Sequence, residues 1–314
     1  MQFAFIVDPL DALKPVKDSS IAMMREAARR GHEIWTVQRE ALSLSGNELS
    51  ASALRIDLAP GDHPWYSPAD VETRALCDFD AVLMRQDPPF DFEYITATWM
   101  LERAVAGGAR VFNHPRAVRD HSEKVSICEF PDLITPTLVT RDVAAINAFI
   151  DLHRDSILKP LDGMGGSRIF RVRADDPNRN VIIETLTADG TDTLMAQRFI
   201  PDIAQGDKRI LLIDGEPVPF CLARIPKAGE TRGNLAVGGR GVAQPLSEGD
   251  WRIARALGPV LAARGLLLVG LDVIGDRLTE INVTSPTCFV EITEQTGFDV
   301  AAMFVDALER AATR

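Results

Sequence analysis

Asp272, Glu280 and Asn282 are oxygen donors that their surroundings give no packing reason to carry. The run Leu266-Leu267-Leu268-Val269-Gly270-Leu271-Asp272-Val273-Ile274 is apolar enough for a buried strand, yet it places an acid near its middle. After Gly275-Asp276 the chain returns as Arg277-Leu278-Thr279-Glu280-Ile281-Asn282-Val283. Glu280 and Asn282 stand two positions apart there, hence on one face of a pleated strand. Three such donors on one sheet surface suit a hard cation such as Mg²⁺, which keeps several waters and bridges phosphates. Register is the test. A plain two-residue turn puts Asp272 and Glu280 on opposite faces, whereas a bulge or a three-residue connection brings them together. The competing reading is an ordinary hairpin with one solvated acidic face.

Groups that would hold phosphate lie elsewhere in the chain. The loop Asp162-Gly163-Met164-Gly165-Gly166-Ser167 is glycine-rich, so its backbone N–H groups can approach phosphate oxygens closely. It lacks Gly-Lys-Ser/Thr and leads into a strand, which excludes a Walker A loop. Lys159 lies three residues upstream, and Lys124, in the helical-looking stretch Asp120–Cys128, offers a second point charge. Arg209 and Arg224 flank the Asp214-Gly215 turn. A two-residue turn pairs Arg209 with position 220 and puts both arginines on one face, an arrangement that favours an anion between them. The glycine-rich segment Pro226–Gly241 carries Arg232 and Arg240 and reads as a mobile lid over that anion. The apolar run Met195–Pro201, with Gln197, Phe199 and Ile200, can offer backbone groups to an adenine edge, and Asp207 can take ribose hydroxyls.

A frame for these groups follows from composition and pattern. The 314 residues are 46% hydrophobic and 25% charged, with a formal net charge of −11. That balance fits a globular chain of two or three lobes and disfavours nucleic acid or an anionic membrane as partner. No apolar run approaches the ~20 residues of a membrane span, and no signal peptide is evident at the N-terminus. Cys77, Cys128, Cys221 and Cys288 are scattered without a zinc or disulfide pattern, which points to a reducing cytoplasm. Up to about residue 120 strand and helix alternate: Phe3–Val7, a helix Ile21–Arg30 capped by Ser19, Glu33–Val37, Ala81–Met84, Phe92–Ala106 and Arg110–Phe112. This predicts a doubly wound, mostly parallel sheet with ligands at its carboxyl edge. No Gly-x-Gly-x-x-Gly follows the first strand, so a dinucleotide site is disfavoured. From about 123 hairpins dominate, with few long helices and a capping helix Val300–Ala312. Neither His-Glu-x-x-His nor Gly-x-Ser-x-Gly occurs, which removes zinc-protease and serine-hydrolase readings.

Together these elements resemble the ATP-grasp ligases. The segments Met84-Arg85-x-Asp87-Pro88-Pro89-Phe90, Lys159–Gly166, Gly206-Asp207-Lys208-Arg209, Ala223-Arg224-Ile225-Pro226, Gly229–Asn234 and Thr279–Thr287 are similar to bacterial glutathione synthetases. The resemblance spans Asp8 to about Ile292, and departs from the pattern at His121-Ser122 and Phe289-Val290. It implies an N-terminal α/β domain over 1–122 and an ATP-grasp domain over 123–314, with a lid lobe at about 123–200 and a metal lobe at about 201–314. It implies ATP and Mg²⁺ or Mn²⁺ as cofactors, with γ-glutamylcysteine and glycine as substrates joined through an acyl phosphate. Lys124, Lys159, Asp162, Gly163, Gly165, Gly166, Gln197, Phe199, Ile200 and Asp207 would bind nucleotide, and Asp272, Glu280 and Asn282 metal. Arg209 and Arg224 would be catalytic. Ser19, Ser20, Arg85, Asp87, Arg232, Asn282, Ser285 and Thr287 would receive the dipeptide, with the first helix N-terminus and Arg85 taking its non-reacting carboxylate. A bland role for Arg85 is pairing with Asp87 at a domain seam. The family further implies a homodimer or homotetramer. A different ATP-grasp carboxylate–amine ligase, or a regulatory protein without turnover, are the rival readings.

Overall fold

The computed structural model describes residues 1–162, 166–227 and 238–313, and among them the strands form three sheets. The first sheet holds β1 (Gln2–Ile6), β2 (Glu33–Ser45), β3 (Glu48–Leu58), β4 (Tyr66–Ala75), β5 (Ala81–Met84) and β6 (Val111–Phe112), in the order β4-β3-β2-β1-β5-β6. The strands from β2 to β6 by way of β1 and β5 run parallel, as the apolar runs buried on both faces predict. Helices α1 (Ser19–Arg29), α2 (Phe92–Ala106) and α3 (Pro115–Asp120) belong to this half. The meander β2-β3-β4 is antiparallel and absent from the sequence reading. Its signal was present in Leu49, Ala51 and Ala53, which alternate with polar residues and are buried.

The second sheet holds β7 (Thr137–Thr140), β8 (Asp155–Pro160), β9 (Phe170–Arg173) and β10 (Leu194–Arg198), antiparallel throughout in the order β7-β10-β8-β9. Helices α4 (Val143–His153) and α5 (Arg179–Thr187) bury Ile146, Ile150, Ile183 and Leu186 against Leu158, Val172, Leu194 and Ala196 of one face. The other face is left for Ile157, Lys159 and Gln197. These helices correct the expectation of a helix-poor second half. Residues 121–124 are likewise not helical, and Lys124 immediately precedes a 3₁₀ turn at Val125–Glu129.

The third sheet orders β13 (Arg240–Pro245), β12 (Glu216–Ile225), β11 (Asp207–Ile213), β14 (Leu268–Ile274) and β15 (Arg277–Asn282), again antiparallel. Strand alternation divides its residues sharply. Ile210, Leu212, Cys221, Leu271 and Val273 pack towards α6 (Glu248–Ala263), whose Ile253, Ala254 and Leu257 share their cluster. Leu211, Ile213 and Leu222 face the other way, into the cluster of α7 (Phe289–Thr296) and α8 (Val300–Ala312). Arg240 lies in β13 opposite Ile225 rather than in a loop, while Arg232 and most of the proposed lid lie outside the described residues. On the α6 side Lys208 donates to Asp250 and to the Gly275 carbonyl (2.8 Å), and Asp250 also closes the capping box with Ser247. Removing one member of a buried pair strands the other charge at a cost of about 3–5 kcal/mol. Lys208→Met is therefore expected to lower the free energy of unfolding in urea by an amount of that order while leaving the KM values unchanged; wild-type stability in the variant would contradict the assignment.

Candidate active site

A cavity of about 290 Å³ opens between the second and third sheets, closed at one side by residues 284–287 and by Asp87 and Pro88 from the end of β5. Its floor is the face of the third sheet that α6 does not cover. The β14–β15 hairpin turns at Gly275-Asp276, and a register shift beyond Val273 places Asp272 directly opposite Glu280. The extra residue is Thr279, whose hydroxyl donates to the Asp272 carbonyl at 3.1 Å. The bulge is thus the device that turns both acids to one face. Asn282 pairs with Gly270 in the same ladder and lines the same cavity.

The β11–β12 hairpin reaches a similar result by another route. Its two-residue turn holds, but a shift between Ile210 and Leu212 pairs Arg209 with Leu222 instead of position 220. Two residues are inserted in β12, an even number, so Arg209 and Arg224 still share a face. Asp272 lies between them. It accepts from Arg209 Nε at 2.5 Å and Nη2 at 3.2 Å, and its Oδ2 is 2.8 Å from Arg224 Nη2. Burial opposes ionisation of Asp272, but the two guanidinium charges prevail and hold it below the ordinary carboxylate range. Arg224 also donates to Asp207 Oδ2 at 2.6 Å. Gly270 is part of this arrangement, because a Cβ there would lie 2.9 Å from Arg209 Cδ and 3.0 Å from Pro286 Cβ. Sequence reasoning passed over it.

The second acid faces lysines. Lys159 Nζ is 3.4 Å and Lys124 Nζ 3.7 Å from Glu280 Oε1, and both lysines are buried. Burial lowers the Lys159 pKa, and Glu280 acts against that shift. A further acid, unassigned from sequence, lines the cavity: Glu123 accepts from Thr284 Oγ1 at 3.0 Å, and its carbonyl accepts from the Ile281 amide. Burial and the charge of Glu280 raise its pKa. The donor set fits a hard cation: two carboxylates that burial and neighbours keep close together, with an amide beside them. Among the described residues no group of three or more acid, histidine or cysteine side chains is placed for a metal. The remaining ligands would therefore be water and phosphate, as Mg²⁺ prefers.

Other expected residues divide into two sets. Gln197, Phe199 and Ile200 line the cavity, as do Gly166, Asp207, Asp87, Ser285 and Thr287. The Phe199 amide, however, is spent on the Asp155 carbonyl (3.0 Å), and its ring is covered by the Arg171 guanidinium at 3.6 Å, so this residue has no backbone donor to spare. Asp162 is exposed and bonds Arg168, while Gly163 and Gly165 lie outside the described residues. Ser19, Ser20 and Arg85 do not reach the cavity. The cap of α1 is Asp18, not Ser19, and its carboxylate occupies the amides of Ser20 and Ile21 at 2.7 and 3.0 Å. A second carboxylate at that helix end would meet Asp18. The Ser19 hydroxyl accepts from the Phe289 amide and that of Ser20 from Arg85 Nε. Arg85 donates to the Pro286 carbonyl at 2.9 Å, leaving Nη1 without a partner, and Asp87 accepts from Ser285 at 2.6 Å rather than pairing with Arg85.

Asp207 gives these charges a pH signature. Burial pushes its pKa up to about 6, with Arg224 opposing and the Asp272 and Glu280 charges adding to the rise. A carboxyl whose folded pKa is raised contributes stability that is full below its unfolded value and is lost as pH climbs through the folded one. The stability of wild type relative to Asp207→Asn should thus decline between pH ~4 and ~6 in unfolding experiments on the two proteins. A difference independent of pH over that window would contradict the burial of this acid.

Comparison with known proteins agrees with this geometry. The model of the prokaryotic glutathione synthetase N-terminal domain matches residues 1–119, and that of the prokaryotic glutathione synthetase ATP-grasp domain matches 123–297. The glutathione synthetase of Ralstonia nicotianae is 61% identical over 312 residues, 99% of this chain and 96% of that protein. That of Nitrosomonas europaea is 57% identical over 317 residues, 100% of this chain and 99% of that protein. Among solved structures, the D-cycloserine synthetase DcsG superposes with a TM-score of 0.68 at 16% identity, covering 99% of this chain and 100% of that one. The ATP-grasp ligase PsnB, complexed with minimal precursor, Mg and ADP, does so at 0.65 and 18%, covering 99% and 98%. At such identity these superpositions speak for the ATP-grasp fold alone. The matches over nearly the whole chain are what identify it: this protein belongs to the prokaryotic glutathione synthetase family.

Proposed function

We propose that the chain ligates γ-glutamylcysteine to glycine at the expense of ATP, giving glutathione, ADP and phosphate. The observation that carries this reading is the pairing of acids and bases across one cavity: Asp272 between two arginines, Glu280 between two lysines. A carboxylate oxygen of the dipeptide attacks the γ-phosphorus and ADP departs. The glycine amine then attacks the acyl carbon, loses a proton, and expels phosphate. Lys124 and Lys159 hold the phosphate chain as point charges, and Asp207 accepts from ribose hydroxyls. Arg209 and Arg224 stabilise the oxyanion of the tetrahedral adduct, where one preorganised donor is typically worth about 3–4 kcal/mol of barrier. Asp272, Glu280 and Asn282 hold Mg²⁺ or Mn²⁺, which when bound neutralises phosphate charge. The adenine lies along Gln197–Ile200, and the dipeptide against Ser285, Thr287 and Asp87, residues that Arg85 steadies through Pro286.

The direct test is ADP release, expected only when both γ-glutamylcysteine and glycine are present; release with glycine replaced by other amines would favour a different ligase, and release with neither substrate would contradict the ligase reading. Asp272→Asn and Glu280→Gln should each abolish ligation and raise the Mg²⁺ concentration needed for nucleotide binding. Near-normal turnover at ordinary Mg²⁺ would remove them from the metal site. Arg85→Ala should raise KM for the dipeptide by roughly 10-fold, because the Pro286 carbonyl between Ser285 and Thr287 is no longer held, and leave KM for ATP unchanged. If only thermal stability falls, Arg85 is a seam residue.

A further inference from the structure

The nucleotide reading leaves open what distinguishes one purine from another, and the second sheet contains a device suited to the task. β10 lies between β7 and β8, so that Gln197 pairs with Thr137 on one side and Ile157 on the other. Its side chain is buried to within 4% and lines the cavity on the face that carries Lys159. Gln197 Nε2 donates to Thr137 Oγ1 at 3.1 Å, and Thr137 Oγ1 donates to the Thr135 carbonyl at 2.8 Å. One order of donors satisfies every group of this relay. A carbonyl only accepts, so the Thr137 proton is committed to Thr135, and Thr137 can offer Gln197 nothing but a lone pair. In that order the amide nitrogen faces Thr137, and Oε1 is turned away from it.

We infer that Thr137 selects the base of the nucleotide, by fixing the Gln197 amide so that it presents an acceptor oxygen to the purine 6-position. An adenine 6-amino group donates to that oxygen, whereas a guanine 6-oxo group sets one acceptor against another. Turning the amide over would suit guanine. It would also set Oε1 against Thr137 Oγ1, and the Thr137 proton could satisfy it only by leaving the Thr135 carbonyl bare, a cost the buried relay resists. The amides of Arg198 and Phe199 are spent on Pro136 and Asp155, so neither is free to donate to a guanine 6-oxo group. Thr137 is a positioning residue: it acts through Gln197 and does not line the cavity.

The inference rests on adenine lying along Gln197–Ile200, and its test separates the two. Initial rates with ATP and GTP, and calorimetric affinities for ADP and GDP, are compared in wild type, Thr137→Val and Thr137→Ser. Thr137→Val should lower the preference for adenine about tenfold, through KM with kcat for ATP little changed, and Thr137→Ser should restore it. A carboxylate accepts at both ends, so in a Gln197→Glu background Thr137→Val should leave the preference unaltered, a coupling that loss of packing would not produce. If Thr137→Val does not fold, Thr137→Ala on this half-buried edge strand asks the same question. A preference in Thr137→Val equal to wild type would overturn the inference. Absence of substrate-dependent ADP release from wild type with either nucleotide would instead overturn the ligase reading beneath it.

Discussion

Asp272 is buried between Arg209 and Arg224, and the third sheet is organised around keeping it so. Each group alone would be costly there: a carboxylate or guanidinium withdrawn from water without a partner loses several kcal/mol. Together they form a chain of alternating charge, Asp207–Arg224–Asp272–Arg209, and Glu280 with its two lysines lies opposite Asp272 across the hairpin. The arrangement tolerates exchange of partners. Phosphates can take over the basic groups provided that a cation takes over the acids, so the same ion pairs that stabilise the protein define what must enter the cavity together.

Such a cluster needs a sheet whose two faces have opposite characters. Strand alternation supplies this, with Lys208, Ile210 and Leu212 directed at α6 and Arg209 at the cavity. Local irregularities then set the details. One bulged residue, Thr279, brings Glu280 opposite Asp272, and a two-residue insertion in β12 lets Arg224 remain beside Arg209. Gly270 leaves the space in which Arg209 lies against the strand. The second sheet contributes Lys159 and Gln197 from above, so the chemistry depends on two separately folded surfaces meeting.

The metal face was legible because an acid inside Leu266–Ile274 conflicts with burial, and because Glu280 and Asn282 keep the pleat period. Which face Asp272 takes was not, since one bulged residue decides it and no local pattern announces a bulge. The cap of α1 was misread for a related reason. Asp18, Ser19 and Ser20 are all good caps, and the choice falls to packing: both serine hydroxyls are used by Phe289 and Arg85, which lie far away in sequence. Glu123 escaped notice because its partner Thr284 is 161 residues distant. Helices α4 to α6 were overlooked when hairpin turns around them gave the stronger signal. The parallel strands β1, β5 and β6 and the helices α2 and α8 were readable almost to the residue, because long runs of uninterrupted periodicity leave little choice.

If Asp272 and Glu280 hold the basic groups until a cation replaces them, nucleotide and metal must bind as one. The decisive measurement is calorimetric titration of the wild-type protein with ADP, in the presence of Mg²⁺ and in the presence of chelator. The account predicts affinity at least tenfold higher with Mg²⁺, a coupling of about 1.4 kcal/mol or more. Equal affinity in the two titrations would mean that the phosphates never compete with these carboxylates, and would contradict the account.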